Sequence, residues 1–154
     1  MRKPVMRVFS SIDEVRASLG TELGPTASLI IDQARIDAFA RTTGDGQWIH
    51  VDPDRAVGGP YGATIAHGFL TLSLIPYFAR ELFELTFCRA RINYGLDKVR
   101  FPAPVPVGSG LCARATFVGL EEKGAAFMLT TEYVVEAEGA SRPACVARTL
   151  VQLA

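Results

Sequence analysis

The sequence of 154 residues has little of what usually builds a metal site or a covalent cross-link: three cysteines, at 88, 112 and 145, and two histidines. The cysteines are odd in number and far apart, which excludes a disulfide framework and a closely spaced cysteine zinc site. Such thiols are typical of a reducing compartment, so we expect a cytoplasmic protein.

Charge of one sign and long apolar runs are also lacking. Lys plus Arg equal Asp plus Glu at 16 each, so no net field attracts nucleic acid or an anionic membrane. The longest nearly apolar run, at 69–79, is far shorter than the ~20 residues of a membrane span, and the first residues contain no apolar signal segment. We therefore expect neither nucleic acid nor a membrane as partner.

Apolar residues are plentiful, at 49% of the chain. The length fits one domain over residues 1–154, and a domain of this size buries enough surface to fold without a cross-link. This composition suggests a large core and an apolar face for a second subunit, so we expect a homodimer.

The first half of the chain shows helical patterns. Ile12, Val15 and Leu19 have helical spacing before Gly20, and a helix over 33–43 is predicted between a capping Asp32 and a terminating Gly44. Asp52 followed by Pro53 predicts the start of a short helix. From His67 to about Phe83 the chain is apolar almost all round the helical axis, which predicts a helix that is buried on most sides and kinked by Pro76.

The second half instead alternates in the manner of β-strands. Segments such as 110–122 and 126–137 are β-branched or alternating, and short Gly or Pro breaks separate them. Helices followed by long antiparallel strands give an α+β domain, with a curved sheet wrapped around the central helix.

Asp45 and His50 form the first candidate site. Residues five apart diverge on a continuous helix and face opposite sides of a strand, so these two side chains converge only across a loop, which Gly44 and Gly46 make possible. A carboxylate and an imidazole at one place can hold a water molecule and transfer protons at neutral pH. Alternatively, Asp45 caps a turn and His50 is a half-buried histidine with no chemical role.

The second candidate is the start of the central helix, at His67 and Gly68. A backbone N–H in the first turn of a helix has no intrahelical acceptor, so that of Gly68 can polarise a carbonyl oxygen. Alternatively, Gly68 eases the turn and His67 caps the helix. The two histidines and Asp45 lack the spacing of a known metal motif, and the sequence has no phosphate-binding loop or serine-hydrolase motif. We expect no metal.

Three stretches, at 39–56, 62–76 and 93–109, resemble the MaoC-like (R)-specific enoyl-CoA hydratase family, and in particular its branch related to nodulation protein N. The family pattern G-D-x-N-P-x-H corresponds to 44–50, with Gln47 and Trp48 in place of Asn-Pro. The resemblance implies a hot-dog fold and a homodimer. It also implies that Asp45 and His50 are the catalytic pair and that Gly68 supplies the N–H that binds the thioester oxygen.

The function implied is reversible syn addition of water to a trans-2-enoyl-CoA, giving a (3R)-3-hydroxyacyl-CoA, with no cofactor. We expect further substrate contacts from Gln47, Trp48, His67, Asn93 and Arg100. The alternatives are that Asn93 only ends a strand and that Arg100 is an exposed strand arginine. Pro76 stands where some hydratases have a serine. The alternatives are a hot-dog acyl-CoA thioesterase, and a non-catalytic acyl-CoA-binding protein or partner subunit of a heteromeric dehydratase.

Overall fold

The second half of the chain forms a long antiparallel sheet in the computed structural model, which describes residues 5–154. Its long strands are β5 (Arg91–Arg100), β6 (Gly110–Lys123), β7 (Ala126–Ala137) and β8 (Cys145–Leu153). Two short strands, β2 (Glu22–Leu23) and β3 (Leu29–Ile30), pair with β6. The order is β2-β6-β7-β8-β5, and the antiparallel strands expected in the second half are confirmed.

One face of this sheet is buried. Along β7 every second residue is buried, from Leu129 through Tyr133 to Ala137, and the residues between them are partly exposed. This period of two is what a strand gives when it covers a core on one side. The central helix packs against that buried face, through residues such as Leu70, Phe78 and Leu82.

The central helix is in two segments, α5 (Gly68–Ser73) and α6 (Ile75–Leu82), which meet at Leu74. Pro76 lies in the first turn of α6, where its missing N–H costs nothing, and the irregularity expected near Pro76 takes the form of a break in the helix at Leu74. The expectation of burial on most sides is wrong, because Phe69 is 68% and Tyr77 37% exposed. The sheet covers only one face of the helix within this chain.

Shorter elements precede the central helix. They are β1 (Arg7–Phe9), α1 (Ile12–Ala17), α2 (Gln33–Thr43), α3 (Trp48–Val51) and α4 (Pro53–Val57). Strand β1 pairs in parallel with β4 (Phe83–Leu85). The predicted caps are confirmed: Asp32 accepts from the Arg35 N–H and Asp52 from the Arg55 N–H. Leu19 lies beyond α1 and is exposed, so it does not extend the buried face as expected.

Strand β5 lies at one edge of the sheet and is unusual in its exposure. All of its residues except Val99 are exposed, including the large apolar side chains of Ile92, Tyr94 and Leu96. Its outer backbone groups have no strand partner among the described residues.

Over residues 5–154, no helix is long and apolar enough to cross a bilayer.

Candidate functional site

Asp45 and His50 are held by the connection between α2 and α3. Helix α2 ends at Gly44, whose φ of 77° is the left-handed conformation that reverses the chain after a helix. Residues 45–47 are irregular, and His50 then lies within the single turn of α3. The predicted loop is therefore present, although its last part is helical.

The side chains of Asp45, His50 and His67 converge. One oxygen or nitrogen atom from each lies within 4.8 Å of the corresponding atoms of the other two. Two hydrogen bonds through a shared water molecule span up to about 5.6 Å, so a single water fits between the Asp45 carboxylate and the His50 ring. Asp45 is half-exposed, whereas both histidines are buried.

The hydrogen bonds of His50 fix its tautomer. Its Nδ1 lies 2.7 Å from the backbone oxygen of Ile65. Because a carbonyl oxygen only accepts, Nδ1 carries the hydrogen and donates it, which leaves a lone pair on Nε2 of the neutral ring. Nε2 makes no hydrogen bond with the described residues. His50 therefore presents a free proton acceptor.

His67 lies under His50 and supports the site from within the core. The two rings stack with centroids 3.8 Å apart, and Phe39 packs against His67 at 5.0 Å. His67 Nε2 donates to the backbone oxygen of Asp45 at 2.9 Å, whereas the carboxylate of Asp45 is 3.9 Å away. His67 is also the N-cap residue of the central helix, as the alternative had it, but it caps with its backbone oxygen only and its side chain makes no capping bond.

Gly68 begins α5, and its N–H has no acceptor among residues 5–154, as expected for the first turn of a helix. Gly68 and His50 line one cleft of about 380 Å³, together with Tyr61, Phe101 and Val105. A Cβ atom at position 68 would lie 2.9 Å from the Phe101 ring. The absence of a side chain thus accommodates Phe101 as well as leaving the N–H accessible. No pattern in the sequence indicated Tyr61 or Phe101, because both reach the cleft only through the tertiary fold.

The structure places neither Gln47 nor Trp48 in the wall of the His50 cleft, where substrate contacts were expected from them. Gln47 is exposed and its side chain makes no hydrogen bond with the described residues. The Trp48 ring lies 4.3 Å from the Arg55 guanidinium and packs on Gly59, and it does not line the His50 cleft. The apolar surroundings of His50 come from Val105 and Phe101 instead of Trp48.

Asn93 and Arg100 are not brought to the His50 cleft either. Asn93, on β5, lines a separate cavity beside α6. Arg100 is exposed at the end of β5, and its guanidinium donates to the Val99 backbone oxygen at 2.6 Å. In this chain Arg100 is therefore an exposed strand arginine, which was the alternative to a substrate contact.

The Asp45–His50–His67 group is also compact enough to surround one cation, since each residue offers a possible metal ligand. Two of the histidine nitrogens, however, bond to backbone oxygens of Ile65 and Asp45. The expectation of no metal came from motif spacing and stays a prediction.

Comparison with known proteins identifies the family of the chain. The MaoC like domain family matches residues 14–139. The chain is 47% identical over 148 residues to 3-hydroxyacyl-thioester dehydratase Z of Mycobacterium tuberculosis, covering 96% of this chain and 98% of that protein. It is 43% identical over 149 residues to nodulation protein N of Rhizobium leguminosarum bv. viciae, covering 92% and 91% of the two chains.

Among solved structures, the (R)-hydratase from A. caviae superposes with a TM-score of 0.71 at 25% identity, covering 88% of this chain and 96% of that one. The antiparallel sheet packed on a central helix is thus the hot-dog fold that the resemblance implied. The chain belongs to the MaoC-like dehydratase family.

Proposed function

We propose that this protein is an (R)-specific enoyl-CoA hydratase, which adds water reversibly to trans-2-enoyl-CoA and gives (3R)-3-hydroxyacyl-CoA. The observation that carries the proposal is the approach of Asp45 and His50, whose polar atoms come within 4.8 Å of each other, together with the cleft that His50 shares with the unpaired N–H of Gly68. The relative named as a 3-hydroxyacyl-thioester dehydratase supports it, because dehydration is the same reaction in reverse.

The hydrogen bonds suggest how the water is held. The Asp45 carboxylate and the His50 Nε2 lone pair are both acceptors, so the water donates one hydrogen to each. Its oxygen lone pairs are then free to attack C3 of the enoyl group. The group that takes the proton returns it to C2 on the same face, which gives syn addition. Such acid–base help contributes about 10²–10⁴ in rate.

Negative charge develops on the thioester oxygen as water attacks C3. The Gly68 N–H is the donor proposed for that oxygen, and one such donor contributes on the order of 10²–10³ in rate. The thioester itself accepts the electron pair, so the reaction requires no cofactor. The protein groups only hold, orient and transfer protons.

The active form is proposed to be a homodimer. Strand β5 offers a ten-residue edge with exposed apolar side chains at Ile92, Tyr94 and Leu96. An exposed apolar edge strand pairs readily with another chain, and a second copy of β5 is a self-complementary partner.

The test is incubation with crotonyl-CoA. We expect loss of the enoyl absorbance without release of CoA thiol, and a product that a (3R)-specific dehydrogenase oxidises. A thioesterase would release thiol and leave the double bond intact, whereas a non-catalytic binding protein would do neither. Either of those results contradicts the proposed function.

A further inference from the structure

A second cavity, the α6 cavity, lies between α6 and the buried face of the sheet and is separate from the His50 cleft. Its volume is about 230 Å³. A water molecule occupies ~30 Å³ in the liquid, so the cavity has room for about seven groups of the size of water. Much of its wall is apolar, including Ala79, Leu129, Val151 and Leu153. A hydrocarbon chain is the ligand that such a wall accommodates.

The α6 cavity also has polar groups without protein partners. Tyr133 is 4% exposed as a residue and lines the cavity, and its hydroxyl makes no hydrogen bond with residues 5–154. Burial raises the pKa of Tyr133 above its usual value, even though the nearby Arg91 opposes the change, so the hydroxyl remains a donor. Arg80 and Arg91 line the same cavity, form no ion pair with the described residues, and face no carboxylate in its wall.

The Tyr133 hydroxyl is not among the fully buried atoms that lack a partner in the described residues, so it is open to the cavity and can donate to a group that enters it. Three donors on one cavity, two of them cationic, suit an acceptor with negative charge. The planar guanidinium matches a carboxylate in particular, because it can donate two parallel hydrogen bonds to it.

The position of the α6 cavity relates it to the proposed reaction site. Gly68, Leu72, Ile75 and Ala79 lie at helical spacing along one face of α5 and α6. A neighbouring cavity, lined by Leu72, shares Ile75 and Pro76 with the wall of the α6 cavity. Arg80 comes twelve residues after Gly68, beyond the break at Leu74, so it lies towards the far end of the central helix. An acyl chain beside this face would extend from the Gly68 N–H towards the arginines.

We propose that the α6 cavity binds the far end of an acyl chain that carries a terminal carboxylate, with Arg80, Arg91 and the Tyr133 hydroxyl as its donors. This inference rests on the proposed function and names its substrate class: monothioesters of dicarboxylic acids.

The test measures binding separately from catalysis. Saturated suberoyl-, sebacoyl- and dodecanedioyl-CoA are compared by calorimetry with octanoyl-, decanoyl- and lauroyl-CoA, none of which can be hydrated. For at least one length we expect the carboxylated thioester to bind about tenfold more tightly, as for a hydrogen bond to a charged group. Arg80→Gln, Arg91→Gln and Tyr133→Phe should each reduce that preference. Arg89→Gln, at an exposed arginine outside the cavity, should leave it unchanged.

Equal binding of the two series at every length would overturn the inference. So would arginine variants that weaken both series alike, because the arginines would then bind the phosphates of CoA. Pantetheine thioesters, which lack the CoA nucleotide, provide a second check. The carboxylated pantetheine thioester must still bind more tightly than the uncarboxylated one, and equal binding would overturn the inference. Absence of crotonyl-CoA hydration would instead refute the proposed function and leave this binding result standing.

Discussion

Replacing Asp45 by Asn tests the proposed water site with little disturbance to the fold. The Asp45 side chain is 49% exposed, and it accepts only a long hydrogen bond, 3.5 Å, from the Gln47 N–H. Its link to His67 uses the backbone oxygen, which asparagine keeps. We therefore expect the free energy of unfolding to change by no more than about 0.5 kcal/mol.

The effect on catalysis should be much larger. The amide keeps the shape of the carboxylate but cannot take a proton, and its NH₂ group donates where the water needs an acceptor. We expect the rate of crotonyl-CoA hydration to fall by about 10²–10⁴, which is ~3–5 kcal/mol in the activation barrier. His50→Gln should cause a loss of similar size.

The double variant shows whether both residues act on the same water. If they do, removal of one already abolishes the arrangement, so the double variant loses about as much as the worse single variant. Initial hydration rates and thermal melts of all three variants give the answer. Near-normal turnover of Asp45→Asn at unchanged stability would refute the water site. If the two losses in rate multiply in the double variant, Asp45 and His50 do not act on the same water molecule.

The remaining predictions concern metal, thiols and assembly. Dialysis against a chelator should leave hydration unchanged; activity that is lost and then restored by a divalent cation would assign a metal to the histidine pair. Burial raises the pKa of Cys145 to about 11, so its thiol stays protonated near neutral pH and should react with iodoacetamide only after unfolding. Light scattering should show a dimer at micromolar concentration. Leu96→Lys on β5 should shift that dimer towards monomer, whereas Val118→Lys, similarly exposed on β6, should not.

Local signals predicted much of the fold. Asp32, Gly44 and Asp52 were predicted as helix ends from their own chemistry, and each acts as one in the structure. Alternation along the second half predicted the strands, because one face of each strand meets the core. These features depend on residues within a few positions of one another, so the sequence carries them directly.

The candidate site was predictable only in part. The convergence of Asp45 and His50 followed from the loop between them, and the unpaired Gly68 N–H from its place in the helix. The stacking of His67 on His50 joins residues 17 positions apart, and it depends on the segment before the central helix, where the Ile65 N–H donates to the backbone oxygen of Ile49. The contact of Trp48 with Arg55 also depends on the fold, since the short helix α4 brings the Arg55 guanidinium over the Trp48 ring.

Phe101 provides a way to separate the two reasons for a glycine at position 68. In Gly68→Ala the new Cβ would lie 2.9–3.1 Å from three atoms of the Phe101 ring, so the ring must move. Crowding of this kind costs about 1–3 kcal/mol, or several degrees in melting temperature. In the Phe101→Ala background the ring is absent, so adding Gly68→Ala creates no crowding. The double variant should therefore be nearly as stable as Phe101→Ala alone.

Hydration should not recover in that double variant. The methyl group still stands beside the N–H that is proposed to receive the thioester oxygen, and poor alignment of one such donor lowers the rate by on the order of 10² or more. The reference is Phe101→Ala, which opens the His50 cleft and keeps the glycine. If the double variant hydrates crotonyl-CoA as fast as Phe101→Ala, then Gly68 serves only to accommodate the ring, and close approach of the thioester to this backbone is not required.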